Sequence, residues 1–121
     1  MTVAGFETRT VLESQFLRVA VEGTHGSTRS VRFFEWVAEE TVRLGASRVL
    51  LDARGVGGDV STTDRFDLGV ASARIPAKVA LIARPSMIDP ERFGETVASN
   101  RGAVGRVFAS EAEAVAWLVD G

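Results

Sequence analysis

Few residues in this chain can do chemistry, and their spacing limits what that chemistry is. The 121 residues include one histidine, His25, no cysteine and no tyrosine. Thiolate catalysis, disulfides and multi-histidine metal cages are therefore excluded. Carboxylates, arginines, hydroxyls, His25 and the lysine Lys78 remain. A histidine is the natural general base near neutral pH. His25 sits beside Ser27 in the stretch Gly23-Thr24-His25-Gly26-Ser27. No G-x-S-x-G elbow accompanies it, and spacing alone assembles no triad. We read His25 as a solvent-exposed loop histidine.

Three further clusters carry candidate chemistry. Gly55-Val56-Gly57-Gly58-Asp59-Val60 resembles a phosphate-cradling loop. A dinucleotide fingerprint needs a third glycine where Val60 stands, and Asp59 would repel phosphate. A flexible loop is the simpler reading. Asp52 and Arg84 each follow an apolar run, which places both at the carboxyl edge of a sheet, where open parallel sheets bind ligands. Arg54, Ser61, Thr62, Thr63 and Ser86 could line the same crevice for a ligand or partner group. The alternative is that Asp52 caps the following loop and pairs with Arg84. Ser61-Thr62-Thr63-Asp64 has the form of a capping box, with Asp in place of Glu or Gln.

These residues need elements to position them. Phe6 to Glu13 and Phe16 to Glu22 read as strands around a turn at Ser14-Gln15. Leu17, Val19 and Val21 alternate with more polar neighbours. Residues 28 to about 44 form the clearest helix. Ser30, Val31, Phe33, Phe34, Val37, Ala38, Thr41, Val42 and Leu44 share one face, and Gly45 is the stop. Residues 48–52 and 78–83 lack alternation, as in strands covered on both sides.

A second helix runs from Ser61–Thr63 to about Ile75 with two apolar stripes, so it is sandwiched or its second stripe meets a partner. A third opens at Asp89-Pro90-Glu91-Arg92 and ends at Arg101-Gly102. Val104 to Phe108 is the last strand. Ser110-Glu111-Ala112-Glu113 caps the last helix. The order β-β-α-β-α-β-α-β-α predicts an α/β domain over residues 1–121, with a mixed, mostly parallel five-stranded sheet and about four helices.

Composition narrows the function classes. Hydrophobic residues at 45% and charged residues at 25% are ordinary globular values and exclude a disordered chain. A net charge of −2 gives no reason to expect nucleic acid or an anionic membrane. No apolar run is long enough to span a bilayer, and the N-terminus lacks the form of a secretion signal. We expect a cytoplasmic protein without metal or cofactor.

Four stretches carry a family resemblance: Val49-Leu-Leu-Asp-Ala-Arg-Gly55, Ser61-Thr-Thr-Asp-Arg65, Lys78-Val-Ala-Leu-Ile-Ala83, and Arg106 to Leu118 with its Ser110 cap and Trp117-Leu118 end. With the element order, they resemble the STAS-like, SpoIIAA-like family of small bacterial domains across nearly the whole chain. The resemblance implies the fold of anti-sigma-factor antagonists, which act as protein-binding switches, and of CRAL-TRIO domains, which hold apolar ligands. Antagonists carry a phosphorylatable Ser in an Asp-Ser-x-Gly motif. Ser61, Thr62 and Thr63 occupy that neighbourhood without the motif, so a phospho-switch there stands as an alternative to plain helix capping.

The expected function is a non-enzymatic binding or regulatory domain acting through protein contacts, with an unidentified protein or a second copy of itself as partner. Trp36, among charged residues on the first helix, either stacks on Arg32 or anchors an interface with Arg32, Leu68 and Ile75. The first alternative is a carrier of a small apolar or lipid-like ligand, in an elongated cavity lined by Phe66, Val70, Met87, Ile88, Phe93 and Val97. Met87 and Ile88 would then act as a lid, or else plug the core. The second alternative is an enzyme using the edge around Asp52 and Arg84.

Overall fold

The computed structural model describes residues 1–120. They form an α/β domain around a six-stranded sheet in sequential order: β1 Thr2–Val3, β2 Phe6–Leu12, β3 Leu17–Thr24, β4 Arg48–Gly57, β5 Lys78–Ile82 and β6 Val104–Phe108. The β1–β2 and β2–β3 pairs are antiparallel, and β3 through β6 run parallel. The expected sheet had five strands. The sixth is β1, two residues too short to carry a pattern, folded back onto β2 by positive φ at Ala4 and Gly5.

Four helices cover the sheet: α1 Ser27–Leu44, α2 Thr62–Ser72, α3 Phe93–Ser99 and α4 Glu111–Val119. The centre of the expected α1 face is buried, with Ser30, Phe33, Val37 and Thr41 inside and Gly45 closing the helix in the left-handed region, but Val42, expected on that face, is exposed and Val31 turns toward α2. Three boundaries differ from expectation. First, β4 runs on through Gly55 to Gly57, because this stretch pairs with Glu22, Gly23 and Thr24 beyond a bulge. Glycine is required at 55, since a Cβ there would lie 2.6 Å from the Glu22 Cβ.

Second, α2 ends at Ser72, and the chain tightens into turn bonds that bury Ile75 in the core. Third, α3 opens at Phe93 rather than after Asp89. The Asp89 carboxylate accepts from the Glu91 and Phe93 amides, and Arg92 adopts a positive φ of 52°.

Strand alternation sends side chains to two unlike faces. Leu50, Ala80 and Ile82 pack under α4 with Ala114 and Leu118. Ser110 caps the start of α4 by accepting from the Glu113 amide, the forward half of the expected box. Lys78 secures its end, donating to the Trp117 and Asp120 carbonyls at 2.7 and 2.9 Å. The opposite face carries Leu17, Val19, Val21, Val49 and Leu51, which meet Phe33 and Val37 of α1.

Beyond α1 on this second face, α2 packs chiefly on α1 and α3 rather than on the strands. Gly69 brings α2 and α3 together: a Cβ there would fall 2.7 Å from the Gly94 carbonyl oxygen and 2.8 Å from the Val97 Cβ. Gly69→Ala should therefore destabilise the domain by about 1–3 kcal/mol through overpacking. Urea unfolding measures this, and an unchanged midpoint would show that the helices separate freely.

Candidate functional site

Between the α2–α3 pair and the sheet lies a cavity of about 230 Å³. Its floor is the inward row of the parallel strands, including Leu51, Ala53, Val79, Leu81 and Ala83, and its roof includes Leu68, Met87, Ile88 and Ala98. The lining runs from Phe6 on β2 to Val107 on β6, four strand spacings or about 19 Å. The wall is mainly apolar. Small side chains recur in it, among them Ala53, Ala77, Ala83, Ala98 and Ala103, so the roof has little to rest on in the middle.

His25 stands at the α1 end. Its side chain is only 4% exposed, against the expectation of a solvated loop histidine. Its backbone amide donates to the Gly57 carbonyl at 2.8 Å, which fixes it beside the end of β4. Nδ1 lies 2.7 Å from the Ser30 hydroxyl oxygen and Nε2 lies 3.0 Å from Asp64 Oδ2. His25 thus bridges α1 to α2.

Asp64 also completes the predicted capping box: its amide donates to Ser61 Oγ at 3.0 Å, and Oδ2 accepts from the Ser61 amide at 3.2 Å. The hydrogen bond to His25, followed by the one from the Ser61 amide, holds the Asp64 carboxyl below its ordinary value. An ionised carboxylate only accepts, so Nε2 carries a proton. In the neutral imidazole Nδ1 is then the acceptor, and the Ser30 hydroxyl donates to it.

The arrangement has the members of a serine relay with the ring nitrogens exchanged. A serine nucleophile also needs donors aimed at the developing oxyanion. The Ser30 amide is spent on the Gly26 carbonyl at 2.8 Å. The relay ties two helices together and places one hydroxyl in the cavity wall.

The other end is closed by α3 and β6. β6 is an edge strand, and Val107 turns its amide and carbonyl away from β5. Glu95 Oε1 accepts from the Val107 amide at 2.5 Å, and Arg92 donates to the Val107 carbonyl at 2.9 Å and to Glu95 at 2.8 Å. Two side chains of the α3 region thus occupy the place of a neighbouring strand.

The residues expected at the carboxyl edge are divided by the sheet. Asp52 and Arg54 lie on the α4 side, where Arg54 forks onto both Asp52 oxygens at 2.9 and 2.7 Å and reaches Glu111 at 2.7 Å. Those bonds hold the Asp52 carboxyl below its usual range and raise the Arg54 guanidinium. Asp52 accepts from the Arg54 amide within β4 rather than at a loop, and its ion pair is with Arg54, not Arg84. Arg84 instead donates to the Arg54 carbonyl at 2.7 Å, where β4 has outrun β5. Ser61, Thr62 and Thr63 are exposed at the start of α2 on the other face, and Ser86 is exposed in the short turn Pro85–Met87.

Of the residues expected around an apolar pocket, Met87 and Ile88 line the cavity. Phe66 and Val70 face outward, in a groove of about 440 Å³ shared with Val31, Arg32 and Arg74. Val97 is buried against Gly69, and Phe93 is half-buried at the start of α3. The four residues grouped as an interface are not one surface. Ile75 is core, Leu68 lines the cavity, Trp36 is half-buried against Phe33 at 6.0 Å between ring centres, and Arg32 is exposed.

No protein-family model matches this chain, and no curated protein matches it. Among the described residues no helix is long and apolar enough to cross a membrane, and no group of three or more His, Cys, Asp or Glu side chains is placed to hold a metal ion.

Asp64→Asn should lower stability at neutral pH, because the charged acceptor for His25 and the Ser61 amide is lost. A carboxyl depressed on folding contributes stability that is full above its unfolded value. That contribution is lost as pH falls from about 3.8 through the lower folded value. The gap between wild type and variant should narrow over that acid window. Urea titrations across pH measure it, and a gap independent of pH would contradict the ionised bridge.

Proposed function

We propose that this chain is a cytoplasmic, non-enzymatic binding domain of the STAS-like kind that holds a small apolar ligand between its sheet and the α2–α3 pair. The observation that carries this reading is the 230 Å³ cavity with its mainly apolar wall. Binding sites for small molecules are typically concave, apolar and provided with a few polar groups, and His25 with Ser30 is such a group. An apolar cavity of about 150 Å³ stays dry and takes benzene. The present void has room for about nine non-hydrogen atoms in the same proportion.

A second reading, regulation through contact with a protein partner, has one observation in its favour. The outer groove between α1 and α2 exposes Phe66, which is 41% accessible, beside Val31 and Val70. Charged neighbours, Arg32, Glu35, Asp67 and Arg74, ring it. We rank this reading second because the other large exposed apolar residues, Met1, Val11, Leu12, Val42 and Val104, do not line that groove.

Titration with naphthalene or indene, followed by calorimetry or amide NMR shifts, tests the first reading. At about 0.5 kcal/mol per non-hydrogen atom, a nine-atom ligand should bind with a submillimolar Kd. Ala53→Leu, which adds volume to the cavity floor, should fold and lose most of that binding. Equal binding by the variant, or no binding by the wild type up to ligand solubility, would defeat the proposal.

A further inference from the structure

We propose that the cavity selects an apolar ligand carrying one hydrogen-bond donor, a hydroxyl or N–H, over a ligand whose polar atom only accepts; this rests on the apolar-ligand reading above. The selection is set at the α1 end of the wall, by Ser30 and His25. At the α3 end, Arg92 and Glu95 are spent on each other and on Val107. The Asp89 carboxylate accepts from two backbone amides, and Arg65 offsets its charge. The Ser72 hydroxyl bonds the Gly69 carbonyl.

Ser30 differs. Its hydroxyl hydrogen is committed to His25 Nδ1 because Asp64 fixes the proton on Nε2. The Ser30 oxygen keeps lone-pair capacity, and His25 is its one side-chain partner. A ligand donor at the α1 end can satisfy that oxygen. A ligand acceptor there would meet a lone pair and lose its own hydration without return. The same chain of bonds thus sets both the helix bridge and the polarity of the site.

Three bicyclic probes of nine non-hydrogen atoms separate the possibilities at constant shape. Indole carries a donor, benzofuran an acceptor, and indene neither. Each is titrated into the full chain at about pH 8. Because His25 is the only histidine, its ring nitrogens give one unambiguous set of long-range proton–nitrogen NMR signals.

One net neutral hydrogen bond corresponds to about fivefold in affinity. Indole should bind about fivefold more tightly than indene, benzofuran no more tightly than indene, and indole alone should displace the Nδ1 signal. Equal affinities for indole and indene, or benzofuran matching indole, would overturn the donor rule while leaving apolar binding in place. Failure of all three to bind would overturn the cavity reading and this inference with it.

Discussion

Two polar clamps hold the α2–α3 pair above the sheet, and the cavity depends on both. At one rim the buried His25 ring joins Ser30 of α1 to Asp64 of α2. At the other, Arg92 and Glu95 grip the outward backbone of Val107. Between the rims the glycine contact at Gly69 makes α2 and α3 one roof. Buried or half-buried hydrogen bonds of this sort cost more to break than they contribute in net stability. The roof cannot slide down to fill the gap without leaving donors or acceptors unpaired.

The gap exists because the side chains beneath the roof are small. A floor of leucine or phenylalanine at positions 53, 77 and 83 would fill the space that alanine leaves. Close packing is the norm in protein interiors, and voids larger than a water molecule are few. A void of about 230 Å³, with polar links at both ends, departs from that norm. On the α4 face Ala114 and Leu118 form one buried cluster with Leu50, Ala80 and Ile82. That face instead carries Asp52 and Arg54 in a run of ion pairs with Glu111 and Arg18. The pairs are partly exposed and contribute little each.

Much of the fold was legible in the sequence. The period of α1 was readable because a long amphipathic helix repeats its signal many times. The inner strands were readable because apolar runs at 48–52 and 78–83 need cover on both sides, although β5 ends at Ile82. The Ser61–Asp64 box was readable because its two bonds are local. What failed depended on distant partners. β4 continues through Gly55 because β3 is waiting beside it, and α3 starts late because Arg92 is drawn to the Val107 carbonyl. The site was least visible. Ser30 on the apolar face of α1 was the one available signal, since a buried hydroxyl requires a partner, and His25 stands five residues before it. That Asp64 would supply the third member follows only from the packing of α2 on α1. The alanines of the floor read as ordinary small residues until the roof above them is in place.

The existence of the void is the claim on which the rest stands, and noble-gas diffraction addresses it without choosing a ligand. Apolar cavities that stay dry take up xenon. Crystals of the unliganded protein, pressurised with xenon, should show anomalous density between Leu51, Val79 and Leu81 below and Leu68 and Ala98 above. A core at that position filled by Leu68 and Met87, with no xenon bound, would contradict the account.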